Sequence, residues 1–165
     1  MNRRTLLAGL ALMPTVALPA VAIAQAAQPD GPNQPQPELP KEKLVIVTRD
    51  GRHDFNVEMA ISPSQQETGL MFRPTVPADG GMLFDWGVVR DSTMWMKNTV
   101  SSLDMLFINP DGTIRHIAEN TTPRSLAQIP SGGVVRATLE LAAGTAARLH
   151  IRVGDRVEQR IFGNA

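Results

Sequence analysis

Two Asp-Gly turns set between β-prone runs, Asp50-Gly51 and Asp111-Gly112, constrain this chain more than any other feature, because each returns the backbone on itself within a few residues. Lys43-Leu-Val-Ile-Val-Thr48 leads into the first, and on the way out Phe55, Val57 and Met59 alternate with Asp54, Asn56 and Glu58. The second belongs to Asn109-Pro110-Asp111-Gly112, where Pro is preset for the second turn position and Gly for the last. Alternation returns in Val134 to Leu141, with Val135, Ala137, Leu139 and Leu141 on one face and Arg136, Thr138 and Glu140 on the other. Met82 to Trp86 and Thr93 to Lys97 read as a further strand pair, and Val153 to Val157 turns into a last strand.

Helical signals are short. Ser62-Pro63-Ser64-Gln65 offers a capping Ser, Pro at the first helical position and Gln three residues on, with a stop at Gly69. Ala142 to His150 reads as the second helix. About seven strands and two short helices predict a mainly β (α+β) fold, a small antiparallel, barrel-like sheet rather than alternating βαβ units. A length of 165 residues leaves room for one such domain and no second.

The N-terminus has a different character. Arg3 and Arg4 precede an uncharged run from Leu6 to Ala24 that closes on Ala22-Ile23-Ala24, a small-x-small cleavage pattern, so residues 1–24 are expected to be a cleaved signal peptide. The run approaches the roughly 20 residues of a membrane anchor, but Pro14, Pro19 and the cleavage pattern favour removal. Arg3-Arg4-Thr5-Leu6-Leu7 resembles a twin-arginine signal. Residues 25–42 then form a Pro/Gln-rich linker with prolines at 29, 32, 35, 37 and 40, too poor in apolar residues to pack, ahead of the domain at 43–165. A periplasmic monomer without stable membrane association is the expectation.

Composition narrows the function classes. Outside the leader, 14 basic side chains face 16 acidic ones, which speaks against a nucleic-acid partner. The absence of cysteine removes disulfides, thiolate metal sites and a cysteine nucleophile. No Gly-x-Ser-x-Gly, His-Glu-x-x-His or phosphate-loop motif is present, and His53, His116 and His150 fall on separate elements, so neither a cofactor nor a metal site is indicated by them.

The densest polar and aromatic cluster runs from Thr93 to Asp104 and contains Trp95, Met96, Lys97, Asn98 and Thr99. Lys97 leaves one strand and Asp104 enters the next, so the two are expected to lie across from each other, either pinning the connection or binding a polar ligand. Met71 and Arg73, just after the first helix, are candidates beside them, Arg73 doubling as a cap for the helix carbonyls. Met59, Met71, Met82, Met94, Met96 and Met105 either fill core gaps in a chain without tyrosine or bind copper(I).

In order, Gly69-Leu-Met-Phe-Arg73, Gly81-Met-Leu-Phe84, Met94-Trp-Met-Lys-Asn-Thr99, Leu103-Asp104, Leu139-Glu-Leu141 with Gly144, and Gly154-Asp155 resemble the DUF192 family, also called UPF0127, over roughly residues 43 to 160. The resemblance implies a compact β-barrel-like domain, often behind a signal peptide, and no established activity. The family commonly has proline just before the Leu-Asp pair, where this chain has Ser102.

These residues lead to an extracytoplasmic small-ligand binding or accessory module with an unknown small molecule or protein as partner. Its site is expected at Met71, Arg73, Trp95, Met96, Lys97, Asn98, Thr99 and Asp104. One alternative is a hydrolase-type enzyme with Asp104 as base or Lys97 as a perturbed amine. The other is methionine-based copper(I) handling.

Overall fold

In the computed structural model, residues 32–165 are described. The expected signal peptide and the first residues of the linker lie outside them. The chain forms β1 (Lys41–Thr48), β2 (Gly51–Ala60), α1 (Pro63–Thr68), β3 (Met82–Met94), β4 (Leu103–Ile108), β5 (Ile114–Ala118), β6 (Ile129–Ala142), α2 (Thr145–Arg148) and β7 (Arg156–Glu158), then a 3-10 turn at Arg160–Phe162. The strands make one mixed sheet in the order β5-β4-β6-β3-β2-β1-β7. All neighbours are antiparallel except β2 and β3, whose parallel pairing aligns Glu58 with Met82 and Ala60 with Phe84.

The sheet curls until its two edges meet. Thr113 bridges Arg156, Ile114 N–H donates to the Asp155 carbonyl at 2.8 Å, and Val157 N–H donates to the Gly112 carbonyl at 2.8 Å. The result is a nearly closed barrel, which leaves only short edges unpaired. Leu44, Ile46, Phe55, Val57, Leu83, Leu106, Ala137, Leu139 and Leu141 fill its interior.

A second apolar layer lies on the outer face of the same strands. Met82, Phe84, Met105 and Phe107 point there, and Leu70, Met94, Met96 and Leu103 cover them. Strands β3 and β4 are therefore buried on both faces over part of their length, as the unbroken apolar runs Met82-Leu-Phe84 and Met105-Leu-Phe-Ile108 require.

Two local expectations need correcting. Met82 to Trp86 and Thr93 to Lys97 do not pair with each other. Met82 to Met94 is one strand, whose two halves both pair with β6. Register shifts between Asp85 and Arg90 and between Asp91 and Thr93 bend it instead of turning it back, with Gly87 at φ 72° within the first. The linker also packs where it was expected to hang free. Lys41 and Glu42 are already in β1, and the preceding stretch docks through Leu39, which packs against the second apolar layer, and through polar groups. Gln36 donates to the carbonyls of Gln65 and Gly69, Leu39 N–H donates to Glu58 at 2.7 Å, and Met59 N–H donates to the Pro40 carbonyl.

Helix α1 forms as its caps dictate: Ser62 accepts from Gln65 N–H and the Gln65 side chain accepts from Ser62 N–H. Helix α2 spans only 4 residues, because Gly144 in the left-handed region starts it late.

Candidate functional site

The loop after α1 and the segment after β3 are laced together. Phe72 N–H donates to the Asn98 carbonyl at 2.9 Å, and Ser101 Oγ donates to the Arg73 carbonyl at 2.8 Å. Both Phe72 and Asn98 hold positive φ, 62° and 57°, so each chain makes a sharp turn at the crossing. Met71, Trp95 and Thr99 are thereby brought onto one wall.

Asp104 goes elsewhere. It points into the body, fully buried, and accepts Asn120 N–H at 2.9 Å on one oxygen and Ala146 N–H at 2.8 Å on the other. No ion pair joins it to Lys97, whose ammonium lies 5.1 Å from the centre of the half-exposed Trp95 ring. The expected Lys97 to Asp104 pairing is not formed: both carboxylate oxygens are already satisfied by main-chain donors, and such a carboxylate ties β4 to the loop at Asn120 and to α2. Arg73 also turns away, forming a partly buried ion pair with Glu58 and donating to the carbonyls of Gln36 and Pro37. Met96 is buried, and its sulfur accepts the Thr121 hydroxyl at 3.2 Å.

Met71, Trp95 and Thr99 face a cleft of about 310 Å³ between α1 and the curled half of β3. Leu70, Phe84, Trp86 and Met94 supply the rest of its apolar wall, and Glu67 and Arg90 stand on its rim. Within the lining is a residue the sequence reading did not single out, Glu140.

Sheet register sets Glu140 between Met82 of β3 and Met105 of β4, on the face that carries the second apolar layer. Gly81 presses against its backbone: a Cβ there would sit 2.3 Å from the Glu140 carbonyl, so the strand can approach only because the residue is glycine. The side chain is 4% exposed, and among the described residues no hydrogen bond or ion pair reaches its carboxyl. Burial pushes that carboxyl up to about 8, since nothing compensates the charged form. Two buried polar atoms without a partner among the described residues lie in the same region, Trp86 Nε1 on the cleft wall and Thr138 Oγ1 one step along the same face of β6.

A second hollow, of about 390 Å³, lies under the docked linker and contains Glu58 and Arg73. Those charges neutralise one another, so it offers a ligand less than the cleft over Glu140 does.

The histidines stay apart: His150 pairs with Asp50, His116 stacks on Phe107, and His53 meets the Thr48 hydroxyl. Among the described residues no three histidine, aspartate or glutamate side chains gather as a metal site, and no helix is long and apolar enough to cross a membrane.

The profile of the DUF192 family, described as Uncharacterized ACR, matches residues 45–159. A protein from Sinorhizobium meliloti 1021, provisionally named a transcription regulator, has a crystal structure that is 50% identical in sequence, with a TM-score of 0.74, covering 76% of this chain and 98% of that one. A protein of unknown function from Novosphingobium aromaticivorans DSM 12444 is 37% identical with a TM-score of 0.72, covering 73% of this chain and 86% of that one. No curated protein matches.

Proposed function

The chain belongs to the DUF192 family, and we propose that it is an extracytoplasmic module that binds a small ligand in the cleft over Glu140. One observation carries the reading: Glu140, only 4% exposed and with no ion pair among the described residues, lines a cleft of about 310 Å³ whose floor is apolar and aromatic and whose rim is polar. A titratable group whose charged form is disfavoured by burial and which borders a cleft marks a binding-site candidate. The cleft, bordered by the small helix α1 and the half-exposed Trp95, has the volume of a small-molecule site. The near balance of 14 basic and 16 acidic side chains outside the leader supports a partner other than nucleic acid.

Periplasmic placement rests on the leader at residues 1–24. The recovered protein is expected to begin after Ala24 or Ala26, and intact-mass measurement on a periplasmic fraction checks this; a full-length mass there counts against export by cleavage. For the cleft, a thermal-shift screen of small metabolites is the direct test, because a ligand at about 100 times its dissociation constant adds roughly 2.7 kcal/mol. Hits lost with Trp95→Ala and Glu140→Gln support the reading. A screen whose only hits ignore both substitutions overturns it.

A further inference from the structure

We infer that the ligand of this cleft is a small organic amine, its ammonium group set against the Glu140 carboxylate and its apolar body against Met71, Phe84, Met94 and the tryptophans. The inference rests on the binding reading above and adds to it the chemistry of the occupant.

Three features of the wall select a cation. Among the described residues Glu140 is the one deeply buried ionisable group of the lining, and an ammonium makes a charge-assisted hydrogen bond to a carboxylate there. Trp86, Trp95 and Phe84 present aromatic surface around the same space, and ring faces attract cations when water is excluded. Two rings are already used this way by the chain itself: Arg90 lies 5.0 Å from the Trp86 centre and Lys97 lies 5.1 Å from the Trp95 centre. The thioethers of Met71 and Met94 complete a soft surface that adapts to an alkyl or ring body.

A bare metal ion fits less well. A single carboxylate supplies too few hard ligands, and the sulfur of Met96 is engaged by Thr121.

The proton balance follows from the burial. Empty, the cleft keeps Glu140 protonated at neutral pH. An arriving ammonium favours the carboxylate, so the carboxyl proton leaves to the buffer while the amine keeps its own. The groups facing Glu140 across the sheet are Met82 and Met105, both uncharged, and the charged residues at the cleft rim are Glu67 and Arg90, neither of them ion-paired with it. The proton released is therefore assigned to Glu140.

The experiment is titration calorimetry of the full chain with propyl-, cyclohexyl- and phenethylammonium ions, each beside its neutral alcohol, in two buffers of different ionisation enthalpy. At least one amine is expected to bind at millimolar concentration or tighter and its alcohol at least tenfold more weakly. About one proton should be released per amine at pH 7, and affinity should rise more than about tenfold between pH 6 and pH 8. Glu140→Gln and Glu140→Met, both verified as folded by their own melts, are expected to lose at least tenfold in affinity. Failure of all three amines, binding without proton release, alcohols that bind as well, or affinity unchanged in both variants each overturns the inference. If a neutral metabolite from the screen binds and is lost with Trp95→Ala, the amine assignment falls while the binding reading stands. If no ligand depends on the cleft residues, both fall.

Discussion

In the unfolded chain Glu140 has the ordinary glutamate value of 4.5, whereas burial holds it at about 8 in the fold, so the folded state keeps a proton that the unfolded state gives up over that interval. Its contribution to stability is complete below pH 4.5 and is lost as pH rises towards 8, a decline on the order of 4 kcal/mol. Urea midpoints of the parent and of Glu140→Gln between pH 5 and pH 9 check this: the variant should lack that part of the slope and should be the more stable protein at the alkaline end. Parallel curves would show that the carboxyl is better solvated than its position implies. Asp104 is a buried acid with both oxygens hydrogen-bonded. Asp104→Ala strips the acceptors from two main-chain amides, those of Asn120 and Ala146, and should cost about 3 kcal/mol by chemical denaturation, since one orphaned buried donor costs about 1–3. A loss below about 1 kcal/mol would mean that water replaces the carboxylate.

Strand β6 runs between β3 and β4 and places Leu139 in the barrel interior, with 0% exposure, and Glu140 beside the cleft. Leu139→Ala should cost about 2–5 kcal/mol in the same denaturation assay. The alternation that makes Leu139 legible as core also made Glu140 look like its polar counterpart, because alternation alone reports two faces and not what covers each. The missing signal lay in the neighbours. Met82-Leu-Phe84 and Met105-Leu-Phe-Ile108 are apolar on both faces, so a strand inserted between them has no solvent side. Hairpin turns, the capping box of α1 and the positions of most strands along the chain were legible for the same reason that β3 was misread: they are written in neighbouring residues. The pairing of both halves of β3 with β6 is decided by register shifts at a distance. Of the site, Met71, Trp95 and Thr99 were within reach of sequence reasoning, whereas the partners of Asp104 and Arg73 come from loops that no local pattern connects. Arg73 illustrates the cost of that connection. Removing one side of its ion pair with Glu58 should cost about 3 kcal/mol, and Arg73→Ala should also expose the docked linker near Gln36 to protease, read as faster cleavage there than in the parent.

At the scale of the molecule, the barrel depends on a seam rather than on a complete set of strand pairs. Gly112 lies at φ 86°, and a Cβ on it would sit 2.5 Å from the Val157 carbonyl, a backbone atom that cannot swing aside. Gly112→Ala should therefore lower stability by about 2 kcal/mol and speed hydrogen exchange at Ile114 and Val157 ahead of the strands elsewhere. Uniform exchange would place the weakness outside the seam. The same seam sets a timetable. Strand β1, near residue 41, pairs on one side with β7, near residue 158, and β7 also meets the turn before β5. Until residues 156–158 reach β1, that strand lacks this neighbour and the cylinder stays open, however well the hairpin at Asp50-Gly51 has formed. The final shape therefore waits on the pairing of two segments more than 100 residues apart, and every contact that β1 makes with β7 is gained in that one late step.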